Sequence, residues 1–129
     1  MKREELEIGD WVYLNSPFDE GYAQIIDKFY HIMLTKRMIG SVASCSTHYL
    51  EPIPITEDIL RSNGFTQVGG SDSPLWEYDN FAMVKICDEW KIRVVTFLAT
   101  TYTVRYVHEL QQVMRKICDN KYIDNQIFL

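Results

Sequence analysis

The sequence predicts an α+β fold, and three observations carry that reading. One stretch, Glu51–Phe65, spells out a short helix with both of its ends marked. Around it lie short runs rich in Val, Ile, Thr, Tyr, Phe and Trp, punctuated by Gly, Pro, Asn and Asp, which is the pattern of antiparallel strands. Near the end, Tyr106–Cys118 carries apolar residues at helical spacing. The expected architecture is a small, partly closed N-terminal antiparallel sheet, the capped helix, and then an antiparallel meander with a second helix packed on it. A chain of 129 residues makes this one compact domain, 1–129, or two small lobes, 1–50 and 51–129, that share a core.

Taken in order, Gly9-Asp10 is a turn and Trp11–Leu14 a strand, with Trp11 and Tyr13 on one face and Val12 and Leu14 on the other. Asn15-Ser16-Pro17 and Asp19-Glu20-Gly21 form a loop. Tyr22–Tyr30 and His31–Thr35 are the next strands, with no Gly or Pro between them to fix the turn. Met38–Cys45 is a fourth, and Ser46–Leu50 leads into the proline segment. A short strand opening on Gly-Asp-aromatic-Val and followed by more short strands resembles the start of small SH3-like barrels.

Pro52 and Pro54 keep the approach to the helix extended, because each restricts the residue before it. Thr56 is the N-cap, Glu57 and Asp58 sit at the positive end of the helix dipole, and Ile55 can staple onto Leu60. Ile59 stands where a full capping box needs Glu or Gln. Asn63-Gly64 ends the helix, and Phe65 folds back on Leu60, so the helix spans Glu57 to Asn63. Phe65–Val68 and Leu75–Tyr78 then flank the Gly69–Pro74 turn, and Asp79-Asn80 leads into Phe81–Cys87. Trp90–Phe97 completes a meander of four strands, with Trp90, Ile92 and Val94 facing one way. On the second helix, Tyr106–Cys118, Val107, Leu110, Met114 and Ile117 form the buried stripe, and the opposite side, Glu109 included, reads as solvated. Ile123–Leu129 adds a last short strand.

The net charge of −5 argues against bulk attraction to nucleic acid or to anionic lipid. Cys45, Cys87 and Cys118 are an odd, widely spaced set, which fits mostly buried thiols in a reducing cytoplasm and no disulfide framework. No apolar run reaches membrane-spanning length, and the basic pair Lys2-Arg3 is followed by no apolar stretch of a secretory signal.

The motifs that could carry chemistry are incomplete. His108-Glu109 begins a zinc-protease helix, but position 112 is Gln where the second His belongs. Cys45 and His48 are half of a zinc knuckle, and the other half would have to come from isolated residues such as His31, Cys87, His108 or Cys118. Cys45 with His48 or His108 could form a nucleophile–base pair only through the fold, and no flanking signature supports it. Gly69-Gly70-Ser71-Asp72-Ser73 lacks the Lys and the following helix of a phosphate loop. Asp79, Asp88 and Glu89 read as solvated turn carboxylates. No cofactor and no metal is expected.

Three segments, Leu6–Val12, Glu51–Phe65 and Tyr106–Gln112, together resemble a family of small uncharacterised proteins encoded by gut anaerobes and their phages or integrated elements. The resemblance implies a cytoplasmic, mobile-element origin and brings no catalytic residues with it. The function class that fits best is a non-catalytic protein-interaction or accessory module, since aromatic residues are what interfaces favour. Its candidate surface is Trp11, Tyr13, Tyr22 and Tyr30, with His108 and Gln112 on the second helix. The alternative is nucleic-acid binding by stacking on the N-terminal sheet, for which Lys28, Lys36 and Arg37 beside the aromatics would be the mark. A third reading is an enzyme built on His48, His108 or a cysteine. A protein partner is expected and a membrane is not; the oligomeric state is open.

Overall fold

The structure, a computed structural model, describes residues 3–17, 20–27, 32–34, 49–69, 74–78, 81–94 and 101–117. It is α+β, with two antiparallel sheets and two α-helices. The first sheet comprises β1 (Trp11–Asn15), β2 (Glu20–Ile25), β3 (Ile32–Leu34) and β4 (Leu50–Glu51), in the order β3-β2-β1-β4. Helix α1 (Glu57–Ser62) follows. The second sheet is a meander of β5 (Thr66–Val68), β6 (Leu75–Tyr78), β7 (Phe81–Ile86), β8 (Glu89–Val94) and β9 (Thr101–Val104), paired in sequence order. Helix α2 (Val107–Ile117) closes the described chain.

Helix α1 forms as its sequence dictates. The Thr56 hydroxyl accepts the Ile59 N–H at 3.2 Å. At the other end the Phe65 N–H reaches the Leu60 carbonyl at 3.0 Å and the Gly64 N–H reaches that of Arg61 at 3.3 Å, the paired bonds of a Schellman ending. Gly64 has φ +90, the left-handed conformation that this ending needs. Ile55, Leu60 and Phe65 then meet in the same core.

Strand β1 is buried on both faces. Trp11 and Tyr13 join the larger core, which also takes Leu60, Trp76, Phe81, Trp90, Ile92 and Leu110. Val12 and Leu14 join a smaller core with Leu6, Ala23, Ile25, Ile32 and Leu50. The period of two expected for this strand therefore divides it between two cores.

The proline segment ties the sheets together. Leu50 and Glu51 pair with Leu14 and Tyr13 of β1. A few residues on, the Ile55 N–H bonds the Arg105 carbonyl at 3.2 Å, and the Val107 N–H bonds the Ile53 carbonyl at 2.8 Å. One extended run thus pairs with the first sheet and then with the chain that joins β9 to α2. The Trp90 indole N–H adds a bond to the Ile55 carbonyl at 3.3 Å.

Several expectations need correction. The meander has five strands, because Thr101–Val104 pairs with β8 along Trp90↔Val104 and Ile92↔Tyr102. Its alternation, with Val104 buried and Thr101 and Thr103 exposed, is the ordinary half-buried pattern. The expected loop after Leu14 is shorter than read, since Asn15 pairs with Glu20. Strand β2 ends at Ile25, where the Gly9 N–H bonds the Ile25 carbonyl at 2.7 Å and the turn before β1 closes over it. The strands expected at Met38–Cys45 and Ile123–Leu129 lie outside the described residues.

Cys87 is exposed, against the expectation of a buried thiol, because it occupies the two-residue turn between β7 and β8. Cys45 and Cys118 lie outside the described residues. Cys87 has φ 58, and it is the first of the two central turn residues, the position that favours Gly in a II′ hairpin. Cys87→Gly is expected to stabilise the fold by about 0.5–1 kcal/mol, as relief of a left-handed side chain. Chemical denaturation checks this, and an unchanged or lower midpoint contradicts it.

Candidate functional site

The residues singled out from the sequence do not form one surface. Trp11 is buried in the larger core, as are Trp76 and Trp90, because the strand faces that bear them point inward. Tyr30 lies outside the described residues. His108 is 5% exposed, and Gln112 is half-buried and hydrogen-bonded. Tyr13 and Tyr22 are the pair that meets. They oppose each other across β1 and β2, and their rings stack edge-to-face with centroids 5.8 Å apart.

The register places Trp11, Tyr13, Asn15, Glu20, Tyr22, Gln24 and Glu51 on one face of the first sheet. Tyr22 is 40% exposed, and Asn15, Glu20 and Glu51 are exposed beside it. The Tyr13 hydroxyl donates to Glu20 Oε2 at 3.4 Å, and Asn15 Nδ2 donates to Glu51 Oε1 at 3.2 Å. Burial first, and then the charges of Glu20 and Glu51, push the Tyr13 phenol above its ordinary value. The face therefore combines two tyrosines with two carboxylates, and none of the residues just named is Lys or Arg.

A polar clasp joins α2 to the turn before β1. Asp10, 0% exposed, accepts the Glu7 N–H at 2.8 Å, Gln112 Nε2 at 2.7 Å and Arg115 Nη1 at 2.7 Å. Arg115 also reaches Glu7 Oε2 at 3.1 Å. Gln111 receives the Trp11 N–H on Oε1 at 2.8 Å and donates Nε2 to the Gly9 carbonyl at 2.9 Å. Burial pushes the Asp10 carboxyl up, and the Glu7 N–H, Gln112 and Arg115 oppose that rise without cancelling it.

This clasp overturns the reading of the polar side of α2 as merely solvated. Gln111 and Arg115 are buried. Glu109 accepts the N–H groups of Arg105 and Tyr106 at 3.0 and 3.1 Å on one oxygen. Tyr106 directly precedes the helix and Glu109 is its third residue, so this is the returning half of a capping box. The signal for Gln111 and Arg115 was present: they stand four and eight residues after Val107, on the flank of its apolar stripe. Side chains of that type default to solvent, and this hid them.

Two clefts flank α2 and share Glu109 and Gln112. One, of about 620 Å³, runs toward Tyr102 of β9 and Lys116, whose ammonium lies 5.8 Å from the Tyr102 ring centre. The other, of about 380 Å³, is lined by Glu5, Pro52, Tyr106, His108, Glu109 and Gln112. The His108 ring stacks on Tyr106 at 6.0 Å, and its Nδ1 is enclosed without a hydrogen-bond partner. Burial holds the imidazole below its ordinary range against the pull of Asp10, Glu109 and Glu5.

Gln112, where a second zinc-binding His would stand, instead bridges Asp10 and the Glu5 carbonyl, the latter at 2.7 Å. Among the described residues no group of three or more His, Cys, Asp or Glu side chains is arranged to hold a metal. His31, Cys45, His48 and Cys118, and the basic residues Lys28, Lys36 and Arg37, lie outside the described residues. No described helix is long and apolar enough to cross a membrane. Comparison with family models, curated proteins and solved structures gives no match to this chain.

Proposed function

We propose that the chain is a non-catalytic protein-interaction module and that the Tyr13–Tyr22 face of the first sheet is its contact surface. The observation that carries this reading is the cross-strand pair of half-buried Tyr13 and exposed Tyr22, set beside Glu20 and Glu51. Tyrosine supplies large contact area at small entropic cost, and the adjacent carboxylates select a cationic partner. The partner is accordingly a Lys- or Arg-bearing segment of another protein, whose cations meet both ring faces and carboxylates. An SH3-like closure of this sheet and a cytoplasmic accessory role for a phage or mobile element belong to the same proposal; they rest on the sequence resemblances.

Selection of a random peptide display library on the immobilised chain tests the proposal. Enriched peptides should carry Lys or Arg, and Tyr22→Ala should weaken their binding by about tenfold or more, as loss of a central aromatic anchor does. Glu20→Gln with Glu51→Gln should weaken binding and flatten its salt dependence. Enrichment without basic residues, or binding indifferent to these changes, overturns the reading. Saturable binding of single-stranded DNA at the same face would put nucleic-acid recognition in its place.

A further inference from the structure

The outer face of the meander carries an inference that does not depend on the Tyr13–Tyr22 face. The inner face of that sheet bears Trp76, Met83, Trp90 and Ile92 and builds the larger core. Side chains alternate along each strand, so the register sets two cross-strand rows on the opposite face. One row runs Thr66, Glu77, Ala82, Arg93 and Thr101, and the other Val68, Leu75, Val84, Lys91 and Thr103. Strand β7 is the middle strand of the five, and its outward residues, Ala82, Val84 and Ile86, are all apolar. Ile86 is 52% exposed, and a groove of about 240 Å³ follows this column, with Leu75 and Arg93 also in its lining. The charges beside the column are set symmetrically. Glu77 on β6 and Arg93 on β8 both pair with buried Ala82, from opposite sides. Both are exposed, and neither forms an ion pair among the described residues. Lys91 is instead bound to Glu89 at 3.5 Å, and Glu89 also to Arg105.

We propose that this face docks on the same face of a second copy of the chain, about a two-fold axis that runs along β7 between the two sheets. Sheets pack face to face about 10 Å apart, with strand directions within about 30° of each other. Rotation about this axis exchanges β6 with β8 and β5 with β9, and returns β7 to itself. Val84 and Ile86 then meet their own copies, over the floor that Ala82 forms. Glu77 meets Arg93 of the second copy, and Arg93 meets Glu77 of the second copy. Leu75 lies against the aliphatic stem of Lys91 of the second copy. A two-fold contact must be self-complementary, and an acid and a base placed on either side of the axis meet that condition. Two like charges flanking Ala82 would repel their own images. The occupant is therefore read from the face itself: its charge pattern fits its own copy.

Sedimentation velocity of the full chain at concentrations up to about 1 mM, which covers small and transient interfaces, tests the contact. A monomer–dimer equilibrium is expected, with no larger species. Arg93→Glu or Glu77→Arg alone should weaken it by about tenfold or more, since each sets like charges face to face twice over. The double variant, Glu77→Arg with Arg93→Glu, should restore it. An equimolar mixture of the two single variants should also form a dimer, because each presents the charges that the other lacks. An attraction between Glu77 and Arg93 within one chain would not give that last result. All of these changes are at exposed positions, and circular dichroism checks that each variant is folded. A chain that stays monomeric over this range, species larger than a dimer, dimerisation unmoved by Arg93→Glu, or a mixture that stays monomeric overturns the proposal.

Discussion

Arg115→Met is expected to destabilise the fold by about 3–5 kcal/mol near neutral pH, because it leaves the fully buried Asp10 without its cation. The methionine fills most of the arginine stem's volume, so lost packing is a small part of the deficit. Burial already raises the Asp10 carboxyl despite Arg115, so desolvation outweighs attraction in the intact protein. The pair is therefore costly to break and weakly stabilising to keep.

The pH dependence separates this account from one based on packing. A carboxyl held above its unfolded value binds protons more tightly in the folded state. Its contribution to stability is complete below the unfolded value and is lost as the pH rises through the folded one. Removing Arg115 takes away one of the groups that pull Asp10 down and raises it further. The deficit of Arg115→Met should then be smallest in acid and grow toward neutrality. Denaturation midpoints across that range measure it, and a deficit constant with pH contradicts the electrostatic origin. Asp10→Ala with Arg115→Met should also lose less than the sum of the two single changes, whereas strict additivity would show that the two groups act independently.

What was legible in the sequence follows the distance over which each feature is encoded. Helix α1 is written within fifteen residues: the Thr56 cap, the Ile55–Leu60 staple and the Gly64 ending are all local, and each is present. Alternation likewise gives the two faces of β1 and the inward set Trp90 and Ile92 of β8. The clasp is different. Gln111 meets Trp11 across 100 residues of sequence, and no local pattern announces which turn a buried glutamine will find. The Tyr13–Tyr22 pair lies between these cases, since a short loop sets its register and either strand alone leaves it unstated. The fifth meander strand is legible in Tyr102 and Val104 alternating with Thr101 and Thr103, but four residues carry little periodicity, and the sequence alone assigns no element between Phe97 and Tyr106.

Trp11→Ala is expected to cost about 3–5 kcal/mol, the range for deleting a buried large aromatic, and to show that the two sheets unfold together. Trp11 stands on the first sheet yet packs in the core built mainly by the meander and the helices. Its backbone N–H is held by Gln111 of α2, so side chain and main chain both cross between the sheets. If the chain is one cooperative unit, the variant lowers a single transition, and tryptophan fluorescence and far-ultraviolet circular dichroism report the same midpoint. Two transitions, one unmoved by the mutation, would mean that the lobes fold apart. Trp11→Phe provides the comparison. The indole N–H of Trp11 is buried without a hydrogen-bond partner, so phenylalanine removes an unpaired donor while it keeps most of the ring. Its cost should be under about 2 kcal/mol. Equal losses for Phe and Ala would mean that the shape of the indole, more than its apolar area, joins the first sheet to the second.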